Sequence, residues 1–243
     1  GSETADLAYA ARPRSGGLTL QLAWKGEQAK DFDLPLFGTF QAENIAVAMG
    51  LARVGSADAT PEALDARLAG LTQAGTTLGV PGRMMPVTHH PEAPHGRVLI
   101  DYAHTPDAIG SVLKTLRDLG PNRIITVFGC GGDRDTVKRA MMAKAAEDQS
   151  DLCILTTDNP RTEPPAKILE DVETGFQRHD YEVIEDRKLA IKRAIRLAEE
   201  RDIVLIAGKG HETYQEIDGI RHEFDDRRIA VNFIREKAEG GER

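Results

Sequence analysis

The sequence predicts an α/β protein: a Rossmann-like, mostly parallel sheet with helices on both faces, closed by a hairpin and a helix and preceded by a small α+β unit. Three observations carry this. From Val98 onward, short apolar runs alternate with amphipathic stretches of helical length, the rhythm of strands joined by right-handed crossovers. Before Arg83 the rhythm is absent, and a hairpin pattern is followed by two helical ones. Between them, from Leu71 to Gly82, Thr, Gly and Pro dominate, which is linker composition. The predicted domains are therefore 1–80 and 81–243.

In the first domain no patterned segment is read before Gly17. Leu18, Leu20, Leu22 and Trp24 alternate with polar or small residues as a strand does, and Asp31–Leu36 is its hairpin partner across Gly26. Phe40–Val54 spaces its apolar residues as a helix that Gly55 stops, and Thr60-Pro61 reads as a cap and first helical position. In the second domain the predicted strands are Val98–Tyr102, Arg123–Phe128, Leu152–Thr157, Tyr181–Ile184 and Ile203–Ala207. The predicted helices are Pro106–Leu119, Thr136–Asp148, Pro165–Arg178 and Asp186–Glu200. The segment YQEIDGIRHEF places Asp218-Gly219 between two short strands, a type I′ hairpin signal, and a last helix starts at Asp225.

Composition narrows the function. With 31 Lys and Arg against 39 Asp and Glu the formal charge is −8, and no basic run offsets it, so neither nucleic acid nor an anionic membrane is an expected partner. No apolar run is long enough to span a bilayer, and a soluble, cytoplasmic protein is expected. Cys130 and Cys153, at or inside predicted strands, read as buried thiols of a reducing compartment rather than a disulfide, and no metal-ligand spacing involves them.

In an open α/β sheet ligands bind beyond the carboxyl ends of the strands. Those positions hold DYAHTPD (Asp101–Asp107), GCGGDRD (Gly129–Asp135), TDNPR (Thr157–Arg161) and GKGHE (Gly208–Glu212). A single such loop is usually an ordinary turn, and Thr105 and Asp186 read as helix caps. Four charged, glycine-rich loops on one rim point to a ligand, because charge buried there needs a partner. GCGGDR has the first two glycines of a dinucleotide fingerprint, but Arg134 stands where the third belongs, which weakens that reading. GKGHE lacks the spacing and hydroxyl of a phosphate loop. In TDNPR, an arginine beside Asp158 and Asn159 suits a ligand with both a carboxylate and an ammonium. Guanidinium clamps the first, and side-chain oxygens accept from the second. That describes an amino acid.

Taken in order, PGRM, DYAHTPD, GCGGDRD with Lys138-Arg139, DNPRTE and GKGHE resemble the C-terminal domain of the Mur ligase family, in its diaminopimelate-adding branch. The resemblance runs from about Leu36 to the end. It implies an ATP-dependent, ADP-forming ligase of peptidoglycan synthesis that joins meso-diaminopimelate to UDP-N-acetylmuramoyl-L-alanyl-D-glutamate. By the resemblance, Arg134 binds a carboxylate of the amino acid, Asn159 and Arg161 grip its distal end beside Asp158, and the Gly208 carbonyl with Glu212 takes an ammonium. Toward ATP, Asn44 in GTFQAENIAVA approaches the adenine, with Gln41 where the family usually has asparagine. Arg83 reaches the phosphates and Asp101 the ribose hydroxyls. His104 is as well read as a loop donor as a catalyst. Thr136-Val137 replaces the family's usual basic-glycine pair and is expected to alter a helix start.

The family's N-terminal nucleotide-sugar domain and most of its central ATPase domain have no counterpart in the sequence. Its phosphate loop and Mg2+ ligands fall in those missing parts. Residues 1–80 then read as the end of the central domain, and the chain by itself is expected to be inactive. Two other readings stand beside this one: a lysine-adding or folylpolyglutamate-type ligase of the same architecture, and a non-enzymatic amino-acid-binding module. DNPR with Arg161 speaks against the first, and the absence of a phosphate loop is the best support for the second.

Overall fold

The structure is a computed structural model that describes residues 6–14, 17–36, 38–56, 58–73, 82–87 and 97–240. The linker reading falls largely on 74–81, outside the described residues, as does Pro81 of PGRM. The chain divides into two compact units, Gly1–Gly79 and Val80–Arg243.

In the first unit an antiparallel sheet of order β1-β2-β3 is formed by β1 (Leu7–Arg14), β2 (Gly17–Trp24) and β3 (Lys30–Leu34). It is followed by α1 (Phe40–Gly55) and α2 (Pro61–Gln73). Leu18, Leu20, Leu22 and Trp24 form one buried row, and Phe32, Leu34, Met49, Leu64 and Leu68 complete the core. Each such side chain contributes roughly 1.5–3 kcal/mol by leaving water. Asp65 on α2 is held by Trp24 Nε1 at 3.1 Å and Lys30 Nζ at 2.7 Å. Strand β1 corrects the reading of an unpatterned N-terminus. It is an edge strand with most residues exposed, so burial imposes no alternation on its sequence, and Pro13 is tolerated there.

The second unit carries a six-stranded sheet in the order β4-β5-β9-β6-β7-β8. Its strands are β4 (Met85–Pro86), β5 (Arg97–Asp101), β6 (Ile124–Phe128), β7 (Leu152–Leu155), β8 (Tyr181–Val183) and β9 (Ile203–Ala207). All pair in parallel except the short β4, which the sequence reading missed and which runs antiparallel to β5. Helices α3 (Pro106–Arg117), α4 (Val137–Glu147) and α5 (Pro165–Glu173) pack in series along one face. On the other lie α6 (Arg187–Leu197) and α7 (Asp226–Ala238). Val98, Ile100, Ile125, Val127, Ile154, Val204 and Ile206 meet Ala190, Ile191, Ala194 and Phe233 in the core beneath α6 and α7. The expected α/β fold is what the structure shows, although α5 and α6 end earlier than read.

Local chemistry explains the element starts. Thr105 Oγ1 accepts from Ala108 N at 3.3 Å, Asp186 Oδ1 from Leu189 N at 3.0 Å, and Asp225 Oδ1 from Arg227 N at 2.8 Å. Thr136 makes no such cap; Asp135 Oδ1 accepts from Val137 N at 3.0 Å instead. The hairpin of β10 (Tyr214–Ile217) and β11 (Ile220–Glu223) turns through Asp218 at φ 51° and Gly219 at φ 73°, both positive as a type I′ turn requires. Among the described residues no helix is long and apolar enough to cross a membrane.

Candidate functional site

Strands β5, β9, β6 and β7 are neighbours, so the loops leaving their carboxyl ends meet on one rim. They enclose a cleft of about 450 Å³ whose lining includes Arg134, Asp158, Asn159, Arg161, Gly208 and Glu212, the six residues read from the sequence as amino-acid ligands. His104 also lines it.

Two loops are stitched together at the rim. Gly132 N donates to Asn159 O at 2.9 Å, and Arg161 Nη1 donates to Gly132 O at 2.6 Å. A Cβ on Gly132 would lie 1.9 Å from Pro160 O, so only glycine permits this approach. Thr162 Oγ1 donates to Asp133 Oδ1 at 2.8 Å, and the Asp133 N–H donates to Glu163. Arg139, missed by the sequence reading although Lys138-Arg139 was noted, is 2% exposed and bridges Glu163 at 2.7 Å to Asp171 at 2.9 Å. Arg139 and the Asp133 N–H hold the Glu163 carboxyl below the usual range. Asp133 and Arg161 both have φ 53°, a left-handed conformation that these contacts maintain in non-glycine residues.

The floor of the cleft is a buried ionic network. Arg187 and Asp226 have no exposed side-chain surface and form a two-point pair, Nε to Oδ1 at 2.9 Å and Nη2 to Oδ2 at 2.7 Å. Arg187 Nη2 also donates to Ala207 O at 3.0 Å, which ties α6, α7 and the end of β9 under Gly208. Asp158 sits above them with Oδ1 accepting no hydrogen bond, 3.7 Å from Lys209 Nζ. Burial pushes its carboxyl above the usual range; Arg187 and Lys209 oppose the shift while Asp226 and Glu212 add to it. Asn159 Nδ2 donates to Glu212 Oε2 at 2.9 Å. Lys209 and Arg187 were not singled out from the sequence. A lysine between two glycines straight after a wholly apolar strand was the available signal for the first, but nothing marks Arg187, whose partner lies 39 residues away. Cys130 lines the cleft as a free thiol that burial and Asp158 push up to about 12, and Cys153 is likewise free and buried, so neither is poised as a nucleophile.

Of the residues read as nucleotide ligands, His104 lines this cleft, while Arg83 and Asp101 of the same unit are not part of its lining. Arg83 lies over the Tyr102 ring at 5.4 Å. Asp101 is buried and accepts from Met84 N and Ala103 N, each at 2.7 Å, so it braces the backbone at the end of β5. Burial raises its pKa against those two bonds. His104 Nδ1 donates to Tyr102 O at 2.7 Å, the loop-donor arrangement, which leaves Nε2 available. Asn44 stands on α1 in the first unit, its Nδ2 donating to Gln41 Oε1 at 3.1 Å. Among the described residues no three His, Cys, Asp or Glu side chains come together as metal ligands, so no step is assigned to Mg2+.

Four strand-end loops on one rim, carrying guanidinium and carboxylate groups in this order, are matched by a known family. The profile of the Mur ligase glutamate ligase domain covers residues 82–210. The chain belongs to the Mur ligase family. A relative from Aquifex aeolicus named UDP-N-acetylmuramoyl-L-alanyl-D-glutamate--2,6-diaminopimelate ligase is 45% identical over 219 residues, 90% of this chain and 42% of the relative. Another of that name from Clostridioides difficile is 52% identical over 135 residues, 55% of this chain and 28% of the relative. A solved structure with the same enzyme name is 40% identical with a TM-score of 0.69, covering 98% of this chain and 47% of that one. Mycobacterium tuberculosis folylpolyglutamate synthase, solved with ADP, shares the fold at a TM-score of 0.61, with 24% identity over 84% of this chain and 45% of that one. The chain thus spans less than half the length of these relatives and solved structures.

Proposed function

We propose that the cleft binds meso-diaminopimelate for an ATP-dependent, ADP-forming ligase that adds it to UDP-N-acetylmuramoyl-L-alanyl-D-glutamate in peptidoglycan synthesis. The observation that carries this reading is the juxtaposition of Arg134 and Arg161 with Asp158 and Glu212 around one cleft. A ligand with carboxylates and ammoniums at two ends satisfies both signs, and the relatives that match over most of this chain carry that enzyme's name. On this reading Arg134 and Arg161 each take a carboxylate, Asn159 assists at the distal end, and Glu212 with the Gly208 carbonyl holds an ammonium. These residues orient the amine; none is asked to transfer a proton. Holding the amine beside an acyl phosphate removes the entropic cost of a bimolecular encounter, and a closed cleft would keep water from the acyl phosphate.

The ATP-facing part of the proposal is narrower. Arg83 offers a guanidinium to phosphates, whereas Asp101 would reach ribose hydroxyls only with the lone pairs its backbone bonds leave free. No glycine-rich phosphate cradle is present in the sequence, so the chain alone should release no ADP from ATP, even with the dipeptide substrate and diaminopimelate present. Dipeptide-dependent turnover by the purified chain would refute that expectation.

The deciding experiment is calorimetric titration of the chain with meso-diaminopimelate and with L-lysine. Lysine lacks the distal carboxylate and leaves a guanidinium unpaired, which costs roughly 3–5 kcal/mol when that group is desolvated. Discrimination on the order of a hundred-fold or more is expected. Equal affinities, or no binding of diaminopimelate, would overturn the reading.

A further inference from the structure

Lys209 follows Gly208 at the end of β9, and its side chain has no exposed surface. None of the ligand contacts proposed above uses it. Its Nζ lies 3.0 Å from Asn159 Oδ1, 3.5 Å from Glu212 Oε2 and 5.4 Å from the centroid of the Tyr214 ring. A buried ammonium is costly unless its hydrogens find acceptors, so these contacts have to hold.

Counting valences around Asn159 shows what they achieve. Its Oδ1 accepts from Lys209 Nζ and from Glu216 N, each at 3.0 Å, which fills both lone pairs. Its Nδ2 donates one hydrogen to Glu212 Oε2 at 2.9 Å. Turning the carboxamide over would set its N–H groups against an ammonium and a backbone N–H, and its oxygen against a carboxylate. Three attractive contacts would become repulsive, so the direction of the amide follows from its neighbours' chemistry. What Asn159 has left for the cleft is a single N–H donor. Glu212 is constrained in the same way: Oε2 is engaged by Asn159 and Lys209, and Oε1 remains an acceptor.

We infer that Lys209 is a positioning residue that locks Asn159 as a donor and Glu212 as an acceptor, so that this end of the cleft admits a carboxylate beside an ammonium and not the reverse. The selectivity part rests on the reading of the cleft as the diaminopimelate site; the locking of the amide does not. Gly208 permits the arrangement, because at φ 113° a Cβ there would stand 2.6 Å from Asp158 Oδ2 and push the floor apart.

Two measurements test this separately. In the labelled, unsubstituted chain, nuclear Overhauser contacts from the Asn159 amide hydrogens should run to Glu212, with one hydrogen protected from exchange. Contacts dominated by Lys209 Hε and the Glu216 N–H would mean that the amide points the other way and would overturn the inference, whatever the ligand. In titrations, Lys209→Met should weaken meso-diaminopimelate binding by about ten-fold or more, as loss of a charged hydrogen bond does. The double variant Lys209→Met/Asn159→Ala should lose clearly less than the two single losses combined, because the lysine acts through the amide and through the carboxylate that the amide also holds. Unchanged affinity in Lys209→Met, or fully additive losses, would overturn the positioning role. Should Lys209→Met not fold, the amide contacts alone decide. Should the unsubstituted chain not bind diaminopimelate, the proposed function fails while the amide contacts still settle the lysine.

Discussion

The floor of the cleft and its basic rim are built in opposite ways. In the floor, Asp158, Asn159, Lys209, Arg187 and Asp226 are all buried, and carboxylate, amide, ammonium and guanidinium hold one another in place. At the rim Arg134 is exposed, and no hydrogen bond or ion pair to it is seen among the described residues. Arg161 has spent one bond on Gly132 O and otherwise faces the cleft. A ligand therefore meets a floor whose geometry is set in advance and a rim that completes its contacts on binding. Preorganised groups lose less entropy when they bind, so discrimination should reside in the floor and Arg161, while Arg134 adds attraction with less geometric demand.

The largest effect expected is from cutting the floor at its base. Asp226→Ala removes the two-point partner of Arg187 and leaves a fully buried guanidinium with Asp158 and, after it, Glu212 as its remaining counter-charges. Breaking such a pair from one side costs about 3–5 kcal/mol. A clear drop in melting temperature is expected, with diaminopimelate binding lost as the end of β9 shifts. A melting temperature within a degree or so of the parent, about a few tenths of a kcal/mol for a domain of this size, would show that the network is not what holds the floor.

A smaller effect of opposite sign sharpens the same comparison. Asp158, Glu212 and Asp226 carry three negative charges against two positive ones on Lys209 and Arg187, so one carboxylate is in excess. Asp158 is that one, with its pKa raised above the ordinary 3.8 chiefly by burial. A carboxyl raised in the folded state stabilises fully only while protonated, and that contribution is lost as pH rises through the folded pKa. Asp158→Asn should therefore melt near the parent at acid pH and above it at neutral pH, while binding diaminopimelate more weakly. A variant less stable than the parent at neutral pH would mean that the charge is compensated and the floor carries no such tension.

How much of this was legible in the sequence follows from what shapes each part. Buried strands and their crossover helices were legible because burial on both faces imposes apolar runs, as at Ile203–Ala207. The edge strand Leu7–Arg14 was not, since solvent imposes no pattern on it. The six residues expected to hold an amino acid stood out because charge and glycine follow the strand ends, and the structure places them around one cleft. The pair Arg187 and Asp226 was hidden because each sits at a helix start, where a charged residue is unremarkable, and only the fold reveals their meeting. Asp101 shows a subtler gap: DYAH marks the position, but both of its backbone bonds depend on where Met84 and Ala103 lie.

The smallest predicted effect tests the rim itself. Arg134 is exposed and has no partner among the described residues, so on the proposed reading its guanidinium must draw a carboxylate out of water and lose its own freedom on binding. An exposed pair of this kind is worth about 1 kcal/mol or less, and salt screens it over about 10 Å at 0.1 M. Arg134→Gln should thus weaken diaminopimelate binding by about five-fold at low salt, a margin that narrows as salt is raised, and should leave the melting temperature unchanged. Arg161→Lys provides the contrast. It lies deeper and needs the planar fork that an ammonium lacks, so its loss should be larger and less sensitive to salt. If Arg134→Gln instead costs on the order of a hundred-fold at every salt concentration, the bound rim is as dry and fixed as the floor. The division between the two halves of the cleft would then exist only before the ligand arrives.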